Sequence, residues 1–225
     1  MLRAVLFDMD GTLIDTECVY RECWMRAMKE MDVSIDTEVF FTRVAGMNMR
    51  TLIAFCKEAY GEDFPISEIR DRRRAYLLEK VERDGIVCKT GVPMILEHLR
   101  TKGIKLALAS SSGGDWVRQC LRLAGIDESL FDYIITGDRV TRSKPDPEIF
   151  LMAADALGVK PSECVVAEDS TNGVLAGHAA GMKTVMIPDL QPCTDELRPL
   201  LWACIDTLEL LPAMIQKYNE SETYI

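Results

Sequence analysis

The sequence has little of what marks a zinc, secreted or membrane protein. Only two histidines occur among 225 residues, and both, His98 and His178, fall in predicted helices as ordinary helix positions. There is no CxxC pair and no cysteine–histidine spacing of a zinc site. Eight cysteines are scattered through apolar stretches; an even number permits disulfides, but Arg3 and Asp8 break up any secretory apolar segment at the start. No apolar run approaches the length of a membrane-spanning helix. Positive charge is also scarce: 26 lysines and arginines face 36 acidic residues, a formal net charge of -10. That balance argues against nucleic acid or an anionic membrane as partner. A small anionic substrate stays open, because a local cation can reverse the field inside a pocket. The expectation is a cytoplasmic monomer with reduced, mostly buried thiols. Internal repeats and low-complexity stretches are absent, and only Asn219 to Ile225 reads as a loose tail.

What is present begins at residue 4. The apolar run Ala4-Val5-Leu6-Phe7 leads into Asp8-Met9-Asp10-Gly11-Thr12-Leu13, then Asp15. A buried strand thus ends in two carboxylates, followed by a glycine that lets the chain turn. Residues two apart on a strand project to the same side, so a plain ladder would crowd two negative charges. Like charges at close range need a cation or a shared proton. The end of this strand is a candidate site for a divalent metal and carboxylate chemistry.

The pattern then turns helical. Val19, Cys23, Ala27 and Met31 recur every four residues, Met49, Leu52, Ile53 and Cys56 repeat a helical period, and Ile66 to Arg83 reads as a charged helix. Its run Arg70-Asp71-Arg72-Arg73-Arg74 is expected to be a solvated face. From Cys88 onward, helices alternate with apolar strands at 105–109, 133–136, 164–167 and 184–187, and several of the helices stop at glycine. Strands without polar alternation, separated by helices, imply a parallel sheet covered on both faces. The fold expected is α/β: a doubly wound parallel-sheet core of residues 1–15 and 88–225, interrupted by an all-helical insert of residues 16–87.

In open α/β sheets ligands bind beyond the carboxyl ends of the strands. Each strand here exits into polar residues: Asp8 and Asp10; Ser110-Ser111-Ser112-Gly113-Gly114; Gly137-Asp138 and then Ser143-Lys144-Pro145; Glu168-Asp169-Ser170. Taken singly, these could be a helix cap, a solvated lysine or acids at a helix N-terminus. Four such exits on one sheet edge are hard to explain as accident.

In this order the motifs DxDGTL…D, Ala-Ser, Lys-Pro and Glu-Asp resemble the haloacid dehalogenase-like phosphohydrolases, in the β-phosphoglucomutase-like branch with a helical cap. The resemblance runs over essentially the whole chain. It implies a Rossmann-like core and a magnesium-dependent phosphatase that hydrolyses a small phosphorylated metabolite, sugar- or polyol-phosphate-like, through an aspartyl phosphate. By the same resemblance Asp8 is the nucleophile. Magnesium is held by the Asp8 carboxylate, the Asp10 backbone carbonyl and Asp169, with Glu168 supporting them. The Asp10 side chain acts as general acid and base, Ser110 and the Ser111 amide hold the phosphoryl oxygens, and Lys144 offsets charge. Asp15 and Thr16 lie at the hinge, and Asn48 and Arg50, in a cap segment after Gly46, face the substrate.

The alternative is a phosphosugar mutase of the β-phosphoglucomutase type. That group carries a histidine where Tyr20 stands, a lysine where Ala45 stands, an arginine met here only by Arg50, displaced by one position, and Lys-Asn in place of Gly113-Gly114. These losses remove groups that would grip a second phosphate, so phosphatase is the preferred expectation. A degenerate, non-enzymatic binder is disfavoured because every catalytic position is filled.

Overall fold

Strand β1 (Ala4–Phe7) is buried along its whole length. Its alternating side chains feed two different cores: Val5 and Phe7 join one apolar cluster, Ala4 and Leu6 the other. A four-residue strand with both faces covered must be central, and it is. In the computed structural model, which describes residues 1–222, six parallel strands take the order β3-β2-β1-β4-β5-β6. The others are β2 (Lys105–Ser110), β3 (Tyr133–Thr136), β4 (Cys164–Glu168), β5 (Lys183–Met186) and β6 (Ala203–Cys204). Phe7 aligns with Leu108 on one side and Ala167 on the other. The direction of winding reverses at β1, so a crevice opens at its carboxyl end, the usual ligand position of such sheets.

Helices cover both faces. The apolar cluster of Val5 and Phe7 includes residues of α5 (Val92–Thr101), α6 (Gly114–Leu123) and α9 (Leu211–Glu222); that of Ala4 and Leu6 includes residues of α7 (Glu148–Leu157) and α8 (Thr171–Ala179). The remaining helices, α1 (Glu17–Glu30), α2 (Thr37–Val44), α3 (Met49–Tyr60) and α4 (Ile66–Asp84), form the insert. They share an apolar cluster of their own, built on Trp24, Ala27, Met28, Phe40, Leu52, Cys56, Ile66 and Ile69. The chain enters and leaves this unit side by side. Asp15 N–H donates to the Val87 carbonyl (2.8 Å) and Lys89 N–H to that of Leu13 (2.9 Å). Two adjacent strands of backbone are the only covalent links between the helical unit and the sheet.

The structure corrects two expectations. Residues 219–222 are the last turn of α9 and not a loose tail; 223–225 lie outside the described residues. Asn219 follows buried Leu211 and Ile215 at four-residue spacing, and its amide both accepts from the Leu2 N–H (2.6 Å) and donates to the Leu2 carbonyl (2.9 Å). The arginine run is not wholly solvated. Arg73 lies four residues after Ile69 and four before Leu77, on the apolar face of α4, and turns inward against Tyr20 and Trp24. Of the eight free thiols, Cys23, Cys56, Cys120 and Cys164 are buried, and Cys18 is exposed. Among the described residues no helix is long and apolar enough to cross a membrane.

Candidate active site

The turn after β1 returns the chain to the sheet edge within a few residues. The Gly11 N–H donates to the Ile14 carbonyl (2.9 Å), and Gly11 takes φ +79°, a left-handed conformation that favours glycine. A β-carbon there would lie 2.2 Å from Asp169 Oδ2, so the turn packs directly against the end of β4. Asp8 continues the ladder, donating its N–H to the Ala167 carbonyl (3.0 Å).

Beyond β1 and β4 the residues of three sheet exits meet. The Lys144 ammonium, fully buried, donates to Asp8 Oδ1 (2.5 Å), Glu168 Oε1 (2.6 Å) and the Ala109 carbonyl (3.0 Å). Its three N–H groups have three acceptors, which fixes the ammonium in place. Glu168 Oε2 accepts from the Asp169 and Ser170 N–H groups (both 3.0 Å) and from Ser170 Oγ (2.9 Å). Gly173 makes room for that carboxylate, since a β-carbon there would fall 1.8 Å from Glu168 Cδ. Among the described residues nothing donates to the Asp169 carboxylate, although Asp169 is buried. One oxygen each of Asp8, Glu168 and Asp169 lies within 4.8 Å of the others.

The electrostatics of this cluster are unbalanced. Three buried carboxylates face one ammonium. Burial raises the Asp8 carboxyl to about 8: Lys144 opposes the rise, and Glu168 and Asp10 add to it. Burial, with Glu168, Glu17 and Asp8, holds Asp169 well above the ordinary carboxylate range. Lys144 is held above its ordinary value; burial works against its charge, but Asp8 and Glu168 outweigh that cost. A divalent cation fits the imbalance, and an all-oxygen donor set containing an undonated carboxylate suits a hard ion.

The Asp10 carboxylate stands apart from the cluster. It accepts from Thr16 Oγ1 (2.6 Å) and Ser112 Oγ (3.1 Å), and the Tyr20 hydroxyl also reaches it. Burial raises its pKa, and those three hydrogen bonds oppose the rise. Tyr20 in turn accepts from the Trp116 indole N–H, which links α1 to α6. Ser110 is fully buried and its Oγ accepts from the Ser112 N–H (3.1 Å), which leaves the Ser110 hydroxyl proton to donate elsewhere. Ser111 donates to the Gly46 carbonyl (2.7 Å), joining the hydroxyl turn to the helical unit.

The two specificity candidates fall differently. Asn48 is buried and engaged: it caps α3 by accepting from the Thr51 N–H (3.0 Å) and donates to the Gly137 carbonyl (3.2 Å). Arg50 is exposed on the first turn of α3. His98 and His178 are exposed on α5 and α8. Sequence reasoning passed over four groups that the fold brings here. Ser112 sat inside the hydroxyl turn without a role, and Trp116 gave no signal of its own. Glu17 enters from the first turn of α1, its carboxyl raised to about 8 by burial and by Asp10, Asp8, Asp189 and Glu168. Arg73 was hidden in the arginine run, although its place between Ile69 and Leu77 marks it.

A sheet whose central strand delivers one aspartate to a buried lysine and two further acids, with a second aspartate held aside, defines a class. The family model for haloacid dehalogenase-like hydrolases matches residues 5–187. The chain belongs to that family. It is 35% identical over 190 residues to the phosphorylated carbohydrates phosphatase of Thermotoga maritima, covering 82% of this chain and 84% of the relative. It is 30% identical over 187 residues to hexitol phosphatase A of Escherichia coli, covering 82% of each. Among solved structures it resembles β-phosphoglucomutase from Clostridium difficile, with a TM-score of 0.78 and 25% identity over 99% of this chain and 100% of the other.

Proposed function

We propose that this hydrolase is a magnesium-dependent phosphatase of a small phosphorylated carbohydrate, sugar- or polyol-phosphate-like, working through an aspartyl phosphate. The observation that carries the reading is the separation of two carboxylates. Asp8 points into the cluster with Lys144, Glu168 and Asp169, whereas Asp10 is held aside by Thr16 and Ser112. One is poised as a nucleophile, the other as an acid and base. The substrate class draws support from two relatives, one named for phosphorylated carbohydrates and one for hexitol phosphates.

The chain's own groups account for the steps. An Asp8 oxygen bonds to phosphorus while the bond to the leaving oxygen breaks, and Asp10 gives its proton to that oxygen. Asp10, now a carboxylate, takes a proton from a water whose oxygen attacks phosphorus and frees Asp8. The Ser110 hydroxyl and the Ser111 amide hold the phosphoryl oxygens, and Lys144 offsets charge gathering there. Magnesium would be held by the Asp8 carboxylate, the Asp10 carbonyl and Asp169, where it would offset the negative charge of the phosphate. Glu168, with both oxygens already occupied, supports that set from behind. Residues 1–15 and 88–225 act as the core and 16–87 as a cap hinged near Asp15 and Thr16; the Thr16 bond to Asp10 ties the acid to that hinge. The working unit is a monomer, since one chain supplies every group used, and its eight unpaired thiols suit the reducing cytoplasm.

A mutase is the second reading, favoured by the fold likeness to β-phosphoglucomutase. A mutase must shield its aspartyl phosphate from water and hold a distal phosphate with cap cations. Tyr20 and Ala45 bring none. Offered β-glucose 1-phosphate with a trace of the 1,6-bisphosphate and magnesium, the protein is expected to release phosphate or do nothing. Glucose 6-phosphate forming faster than phosphate reverses the ranking. Across a panel of carbohydrate phosphates, release is expected to stop in EDTA and to return with magnesium more fully than with calcium, which takes more ligands at longer distances. Full turnover in chelated protein removes the metal from the mechanism.

A further inference from the structure

Helix α4 shows its apolar side at Ile66, Ile69, Leu77 and Val81, and Arg73 occupies the same stripe. Its guanidinium carbon lies 5.4 Å from the centre of the Tyr20 ring and 5.1 Å from that of Trp24. Its Nε is buried and has no hydrogen-bond partner. Other arginines nearby behave otherwise: Arg26 of α1 and Arg70, Arg72 and Arg83 of α4 pair with carboxylates at the surface, and Arg74, without an ion pair among the described residues, is exposed to water. Among the described residues Arg73 makes no ion pair. Aromatic faces offset part of the cost of burying its charge, but they leave the Nε–H unsatisfied. A half-buried cation whose Nε–H has no partner inside the protein is costly unless something outside the protein completes it.

Its location says what that something is. Tyr20 is the shared neighbour: its hydroxyl meets Asp10, its ring carries Arg73. Arg73 therefore lies on the helical side of the residue that hands a proton to the leaving oxygen, which is where the leaving group must extend. Hydroxyls there would satisfy N–H groups and leave the charge unmatched. A carboxylate satisfies both, because Nε and a terminal nitrogen form a planar fork of its width. A distal phosphate, carrying up to two charges, would call for more cations than Tyr20 and Ala45 leave room for.

We propose that Arg73 is a specificity residue that binds a carboxylate on the leaving group, so that the preferred substrate is the phosphate ester of a sugar acid. The inference rests on the phosphatase reading and narrows it. The test compares pairs that differ only in a terminal carboxylate against a hydroxymethyl group, at two lengths: 3-phosphoglycerate with glycerol 1-phosphate, and ribonate 5-phosphate with ribitol 5-phosphate. Binding is measured by calorimetry on the Asp8→Asn protein with magnesium, so that the result does not depend on turnover.

At one length or the other the acid is expected to bind at least about tenfold more tightly than its alcohol, the size of one charge-assisted hydrogen bond. Arg73→Gln on that background is expected to erase the difference. Arg73→Lys, which keeps the charge and loses the fork, is expected to keep part of it and guards against a folding defect in the glutamine variant. Equal affinities at both lengths, binding by neither member, or a preference that survives Arg73→Gln overturns the inference. The phosphatase reading fails separately, if wild-type protein with magnesium releases phosphate from none of the four esters and none from p-nitrophenyl phosphate.

Discussion

The sheet and the helical unit treat charge in opposite ways. At the sheet edge the ionic groups are sunk and fully committed: Lys144 and Glu168 are 0% exposed and share six hydrogen bonds with fixed partners, counting their mutual contact once. In the helical unit, Arg73 and Glu17 apart, the charges lie outside, many in pairs such as Arg26–Glu30 (3.3 Å), Arg72–Glu30 (3.6 Å) and Lys57–Glu62 (3.1 Å). Surface pairs of that kind contribute about 0.2–1 kcal/mol each. Removing one partner of a buried pair costs about 3–5 kcal/mol, because a charge is stranded in a dry place. The difference teaches where constraint lies. The edge of the sheet is a rigid instrument for one reaction, and the helical unit is a surface that can change what it accepts.

If that contrast is right, the largest effect belongs to the sheet edge. Asp8→Asn keeps the shape and the Lys144 contact but replaces the nucleophile with an amide. Turnover is expected to fall by about a thousandfold or more while the circular dichroism spectrum stays native. Phosphate release near the wild-type rate would dissolve the assignment and with it the distinction between edge and insert.

A smaller and more selective effect is expected at Asp10, where the two regions meet through Thr16. Asp10→Asn keeps one oxygen to accept from Thr16 and can donate its amide N–H to the Ser112 hydroxyl, so the site is expected to keep its form. Loss of the transferable proton is expected to slow hydrolysis of an alkyl phosphate by about 10²–10⁴-fold. An aryl phosphate, whose oxide leaves without a proton, is expected to lose less. Equal losses on the two esters would make Asp10 a structural residue and move the boundary of the catalytic edge inward.

Much of this arrangement was legible in the residues, and the reasons are physical. Strands of four to six residues covered on both faces must be apolar throughout, so they stand out. The turns that follow them must be polar, so the exits at Asp8, Ser110, Lys144 and Glu168 stand out too. What escaped were residues whose role depends on which face of a helix packs inward. Arg73 and Asn219 are polar residues on apolar stripes, four residues from Ile69 and Ile215, and local composition masked both. Strand β6 is only two residues long, too short to carry a period. Trp116 reaches Tyr20 across about a hundred residues of sequence, and no local pattern could announce that contact.

The smallest effect expected is at a buried side chain that belongs to both regions. Asn48 caps α3 from the helical unit and donates to the Gly137 carbonyl at the end of β3. Gly137 has no room to adjust, since a β-carbon there would lie 2.0 Å from the Ser111 carbonyl oxygen and 3.1 Å from Asn48 Cβ. Asn48→Ala removes the cap, worth about 0.5–2 kcal/mol, and leaves the Gly137 carbonyl without that donor. Thermal unfolding is therefore expected to shift down by a few degrees, roughly 2–4 °C per kcal/mol for a chain of this size. If Asn48 is only a helix cap, Asn48→Asp, which still accepts from Thr51, restores stability in full. If it also fastens the helical unit to the sheet, Asn48→Asp stays destabilised, because a carboxylate cannot donate to Gly137 and would face its carbonyl oxygen. Full recovery of the melting temperature in the aspartate variant would show that the two regions are coupled through other links, such as the Ser111–Gly46, Ser143–Thr51 and Asn172–Ala45 contacts, and not through this amide.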